Sequence, residues 1–77
     1  TEIKFSLGKD GMVELAIFDS RGRKVNTLVA GEMQAGEHVR TWNGVDREGA
    51  PVSSGVYYAR LRLAGEPAQV EKLTLTK

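Results

Sequence analysis

The chain has 77 residues, no cysteine and a formal net charge of +1. So short a chain is one domain, it has no disulfide to offset the small core of such a fold, and its balanced charge leaves no electrostatic footprint for nucleic acid or an anionic membrane. No apolar run approaches the roughly 20 residues of a membrane-spanning helix.

Ile3, Phe5 and Leu7 alternate with Glu2, Lys4 and Ser6, the period-two pattern of a half-buried strand. Gly8-Lys9-Asp10-Gly11 is a turn signal. A second strand follows, with Val13, Leu15 and Ile17 alternating with Glu14 and Ala16 and closing at Phe18-Asp19. Asp19-Ser20-Arg21-Gly22 turns the chain again. The third segment, residues 23–30, carries Val25, Leu28 and Val29. Its alternation slips between Val25 and Leu28, which predicts a bulge or a strand that changes sheets. Residues 31–36 are expected to form a loop with Met33 tucked beneath it.

Residues 37–43 are predicted as a strand with His38, Arg40 and Trp42 on one face and Val39 and Thr41 on the other. Residues 44–55 hold three glycines, a proline and two serines, a loop composition with room for one very short strand near Pro51-Val52. Residues 56–63 show the cleanest alternation, Tyr57, Ala59, Leu61 and Leu63 against Val56, Tyr58, Arg60 and Arg62. A turn at Ala64-Gly65-Glu66-Pro67 leads to a last strand, with Leu73 and Leu75 opposed to Lys72, Thr74 and Thr76. No window fits a helix of useful length. Short strands spaced by turn signals predict an all-β, antiparallel sandwich of about seven strands over residues 1–77.

Candidate chemistry is sparse. Asn43, Asp46 and Glu48 could offer oxygens to Ca²⁺, but they do not match a spaced-ligand loop, and Asx-turn bonding explains them better. His38 is the sole histidine. Nothing in the spacing sets Ser6, Ser20, Ser53 or Ser54 beside it, so a packed strand histidine is the expectation. Trp42, Tyr57 and Tyr58 could stack on a sugar. Core and corner positions explain the first two better, which leaves Tyr58 as one exposed ring. Arg21, Arg23 and Lys24 cluster at a turn, and Arg60 and Arg62 line a strand face. These cations are either a solvated surface or a docking surface for an acidic partner. Catalytic, cofactor-binding and metal residues are therefore expected to be none, and the chain is expected not to be an enzyme.

At Gly55-Val56-Tyr57-Tyr58-Ala59 the sequence resembles the corner of an immunoglobulin-like or fibronectin III-like sandwich, where a Tyr precedes the second core Cys by two residues. By that resemblance Tyr57 is the corner tyrosine, Ala59 fills the Cys slot and Trp42 is the core tryptophan between the sheets. The stretches at 19–29, 35–49, 51–61 and 71–77 together resemble the immunoglobulin-like domain named after the flagellar hook-capping protein, with kinship to type IX secretion C-terminal sorting domains. Arg40 departs from the apolar residue usual in that family, and Asn43 from the usual Asp. The resemblance implies a non-catalytic module, taken as the C-terminal part of a larger exported bacterial protein that acts outside the cell or at its surface. Its implied task is sorting or surface attachment, with upstream domains of its own chain and secretion machinery as partners. A structural spacer or assembly module is the alternative, and a carbohydrate-binding accessory domain the third reading.

Overall fold

A computed structural model describes residues 1–77. It contains six strands and no helix: β1 (Glu2–Leu7), β2 (Gly11–Asp19), β3 (Lys24–Met33), β4 (Gly36–Thr41), β5 (Gly55–Leu63) and β6 (Gln69–Leu75). They form two antiparallel sheets, a pair β1-β4 and a four-stranded sheet in the order β3-β2-β5-β6. The short strand expected near Pro51-Val52 is reduced to a single bridge between Val45 and Pro51, so six strands and a bridge stand where about seven were expected.

Alternation decides what each sheet buries. Val13, Leu15 and Ile17 of β2 and Tyr57, Ala59, Leu61 and Leu63 of β5 line the inner face of the large sheet. Ile3 and Leu7 of β1 and Trp42, one residue past β4, pack against them, with Met33 and Leu73 closing the cluster. Phe5 also points inward but stays half-buried, stacked on His38 at 5.5 Å between ring centres. Trp42 is the largest fully enclosed side chain, 1% exposed.

The slip in β3 is two bulges. Leu15 pairs with Val29 and Ala16 with Thr27, which leaves Leu28 extra; Ile17 pairs with Asn26 and Phe18 with Lys24, which leaves Val25 extra. Residues 31–36 are not the expected loop. Gly31, Glu32 and Met33 pair with Val13, Met12 and Gly11, so β3 runs on to a buried Met33 and only Gln34 and Ala35 separate it from β4. Gly31 has open space where a side chain would stand, and a glycine with backbone partners on a neighbouring strand extends as readily as any residue.

Three connections cross between the sheets. The Asp10 carboxylate, in the first, accepts the Ala35 N–H of the second at 2.7 Å, so one side chain ties both crossings at the same end. The third crossing, residues 42–54, is held by the core tryptophan. The Trp42 indole N–H donates to the Val45 carbonyl at 2.9 Å. The Trp42 ring meets Tyr57 edge-on at 5.0 Å, and the Tyr57 hydroxyl donates back to the Ser53 carbonyl at 2.6 Å. This is the corner expected from the resemblance, and Ala59 is buried in the Cys slot beside it. Replacing Trp42 with Ala is expected to cost about 3–5 kcal/mol, a large share of the about 5–15 kcal/mol that holds a native domain. Urea unfolding followed by circular dichroism measures it, and an unchanged midpoint refutes the assignment of Trp42 as the keystone of the core.

Candidate docking face

The residues set out as candidate ligands or nucleophiles resolve into structural parts. Asp46 organises a turn: its Oδ1 accepts the N–H groups of Glu48 and Ala50 at 2.9 and 3.0 Å. Its own N–H donates to the Ala50 carbonyl, and the Gly49 N–H returns to the Asp46 carbonyl. Gly49 sits at φ +84°, a backbone state that glycine adopts without a side-chain clash. Asp19 builds the same turn. Its Oδ1 accepts from Arg21 and Arg23, both at 2.9 Å, while its N–H donates to the Arg23 carbonyl and Gly22 donates to the Asp19 carbonyl. Asp-x-x-Gly at 19–22 and 46–49 is thus one device used twice, and that shared spacing was available in the sequence. These bonds, led by the backbone N–H of Arg23, hold the Asp19 carboxyl below the usual aspartate range.

His38 donates from Nε2 to the Gln34 carbonyl at 2.8 Å, since a carbonyl can only accept, and stacks on Phe5. Ser6 neighbours Phe5 in β1 but alternates to the exposed face. Ser20 lies in the first Asp-x-x-Gly turn; Ser53 and Ser54 lie in the crossing, where the Ser54 hydroxyl accepts the Lys77 N–H. No serine is joined to the histidine, and no group of three His, Asp or Glu residues converges. Arg40 faces inward as predicted but only half-buried, its guanidinium folding back on the Val39 carbonyl at 2.8 Å. Asn43 is exposed. The asparagine that matters is Asn26, which the sequence reading passed over. It donates to the Val45 and Asp46 carbonyls at 3.1 and 3.3 Å and pins the crossing to the bulged part of β3.

What the fold does assemble lies on the outer face of the large sheet. Phe18 is in register with Lys24 on one side and Tyr58 on the other, and Tyr58 with Lys72 beyond it. The next row aligns Ala16, Arg60 and Val70, and the next pairs Glu14 with Arg62. The Glu14 carboxylate receives Lys24 Nζ on one oxygen and Arg60 Nη2 on the other, each at 3.0 Å. The Arg60 guanidinium lies 4.5 Å from the Phe18 ring centre, with Lys24 Nζ at 6.0 Å, a cation–π geometry. Arg60 Nε is buried without a hydrogen-bond partner, and the guanidinium it belongs to lies over the Phe18 ring. Lying from Phe18 to Glu14, the Arg60 side chain covers Ala16, which sits on the outward side of its strand yet is 0% exposed. Arg21 and Arg23 are not part of this cluster: they stay in the turn, Arg23 bound to Asp19 at 3.1 Å.

This is a six-stranded antiparallel sandwich of immunoglobulin-like type. The profile of the FlgD Ig-like domain matches residues 3–66, and the chain belongs to that family. It is similar to the basal-body rod modification protein FlgD of Salmonella typhimurium and of Salmonella typhi, 44% identical in each case over 45 residues, which are 58% of this chain. It spans 19% of the length of those relatives. The crystal structure of FlgD from P. aeruginosa superposes with a TM-score of 0.74 at 21% identity, over 96% of this chain and 59% of that one, a likeness of fold.

If Asp46 is a turn residue, Asp46→Asn keeps the Oδ1 acceptor and loses little stability. Asp46→Ala costs about 1–2 kcal/mol, and calcium leaves the melting temperature of all three proteins unmoved. A calcium-dependent rise in the wild type alone would make Asp46 a ligand. For Glu14, the hydrogen bonds from Lys24 and then Arg60 lower its pKa on folding. The stability these pairs supply is therefore complete above the unfolded glutamate pKa and lost as pH falls through the lower folded value. The gap in unfolding midpoint between wild type and Glu14→Gln should be widest at neutral pH and close in acid; a gap independent of pH removes the ionic role.

Proposed function

We propose that this domain is a structural assembly module of a hook-capping type of protein, acting by surface contact and not by catalysis. The observation that carries the reading is the family match over residues 3–66. The similarity to proteins whose names describe basal-body rod modification supports it. It is supported further by what the side chains do: the aspartates close turns, the histidine packs, and the prominent polar cluster is a surface of paired cations and aromatic rings. On this reading the domain works outside the cell, in contact with the remainder of its own chain. The matches fall on FlgD proteins and lend nothing to the sorting or surface-attachment reading. The sugar-binding reading weakens with Trp42 and Tyr57 enclosed in the core.

In-frame deletion of the segment Thr1–Lys77 from its parent gene, in the bacterium that encodes it, tests this. The expected result is a parent that is still made and exported, with hooks unfinished under the electron microscope and swimming lost. Normal hooks overturn the assembly reading, and a parent trapped inside the cell replaces it with the sorting one.

A further inference from the structure

We propose that the outer face of the β3-β2-β5-β6 sheet docks an acidic polypeptide segment that also carries an apolar side chain. This rests on the assembly reading and names the chemistry of the partner.

Charge is concentrated there. Lys24, Arg60, Arg62 and Lys72 stand in adjacent rows with Glu14 among them, and the next carboxylate of the face, Glu32, lies one row beyond, in register with Met12, whereas the whole chain carries a net charge of only +1. Glu14 is occupied by Lys24 and Arg60. Arg62 and Lys72 are exposed and in no ion pair, so two cations are left to meet an incoming carboxylate. Between the rows, Phe18, Tyr58, Arg60 and Val70 line a shallow depression of about 340 Å³ that ends at the Asp19 turn. Val70 is 63% exposed, the most exposed large hydrophobic residue of the chain, on a strand with no neighbour on its outer side. Opposite charges at the edge of a patch and apolar side chains at its centre are the composition of a protein-docking surface.

The same geometry disfavours other partners. A base or a sugar needs a free ring face for stacking. The Phe18 face is occupied by Arg60 at 4.5 Å, which leaves Tyr58 alone. Neither partner uses an exposed valine. An acidic segment with a single leucine or phenylalanine between its carboxylates uses all of the surface: carboxylates on Arg62 and Lys72, and the apolar side chain in the depression beside Val70.

The test is a nitrogen-15 amide spectrum of the 77-residue chain titrated with a soluble Glu-Leu peptide, a run of Glu with one Leu at its centre. The controls are the same peptide with Gln for Glu, the same with Ser for Leu, a dT oligonucleotide and a xylan oligosaccharide. The expected result is saturable shifts at Phe18, Tyr58, Arg62, Val70 and Lys72, caused by the Glu-Leu peptide and weakened by salt. The double variant R62E/K72E should bind about ten-fold more weakly or worse with an unchanged melting temperature, and Val70→Ser should weaken binding by itself. Equal binding of the Gln peptide, shifts confined to residues of β1 and β4, binding of the oligonucleotide or sugar instead, or no binding overturns the proposal. The two readings separate in the cell. If deletion of the domain stops hook completion but R62E/K72E does not, assembly stands and this face is not its contact; if deletion itself has no effect, the assembly reading falls whatever the peptide does.

Discussion

The bond from the Trp42 indole to the Val45 carbonyl is the constraint on which the sandwich depends. The small sheet has two strands and little surface with which to hold itself to the large one. Trp42 supplies that surface and uses its only polar atom to fix the first turn of the crossing chain. The same Val45 carbonyl accepts from Asn26, and the Arg47 N–H reaches the Val25 carbonyl at 3.1 Å. The crossing is thereby bonded to the bulged stretch of β3 as well as to the core. Bulges in an edge strand also bend it away from a flat, open ladder. The irregularity of β3 therefore serves two ends: it presents Val25 and Asn26 to the crossing, and it makes the edge a poor template for another strand.

Much of this was legible in the residues. Period-two alternation placed the faces of β1, β2, β4, β5 and β6 correctly, and the slip in β3 marked its bulges. The corner at Tyr57 came from the resemblance to immunoglobulin-like sandwiches, whereas the strand faces came from residue order, because burial on one side of a sheet leaves a direct trace there. The extension of β3 through Gly31 was not legible: glycine is a loop signal unless its pairing partners are known, and those lie on β2. The candidate docking face was half legible. Arg60 and Arg62 showed as one face, and Lys24 as part of a basic cluster. But Lys24 leaves Arg21 and Arg23 and joins Glu14 only through strand pairing, which sequence distance hides. Ala16 was set with the polar positions of β2 by its alternation. It is enclosed only because a long arginine on the next strand lies over it, a use of aliphatic stem as cover that hydropathy does not record.

The outer face shows how a small domain can gather charged and aromatic side chains without weakening its core. Ion pairs about one-third exposed are worth little individually, ~0.2–1 kcal/mol, so Glu14, Lys24 and Arg60 are not there mainly to hold the fold. They fix the positions of two cations and one ring. The inner face of the same strands, meanwhile, is apolar throughout β2 and β5. One pair of strands thus separates an apolar core from a charged surface by side-chain direction alone.

The pairing of β2 with β5 also governs the time course of folding. β2 and β3 form a hairpin closed by the Asp19 turn, a local event that can occur early. The centre of the large sheet, however, joins Val13 to Leu63 and Asp19 to Tyr57, partners separated by about half to two-thirds of the chain. Pairings so distant in sequence place sandwiches among the slower two-state folders, in milliseconds to seconds. On a ribosome the first hairpin must therefore wait, its inner valine, leucine and isoleucine uncovered, until the last third of the domain has been made.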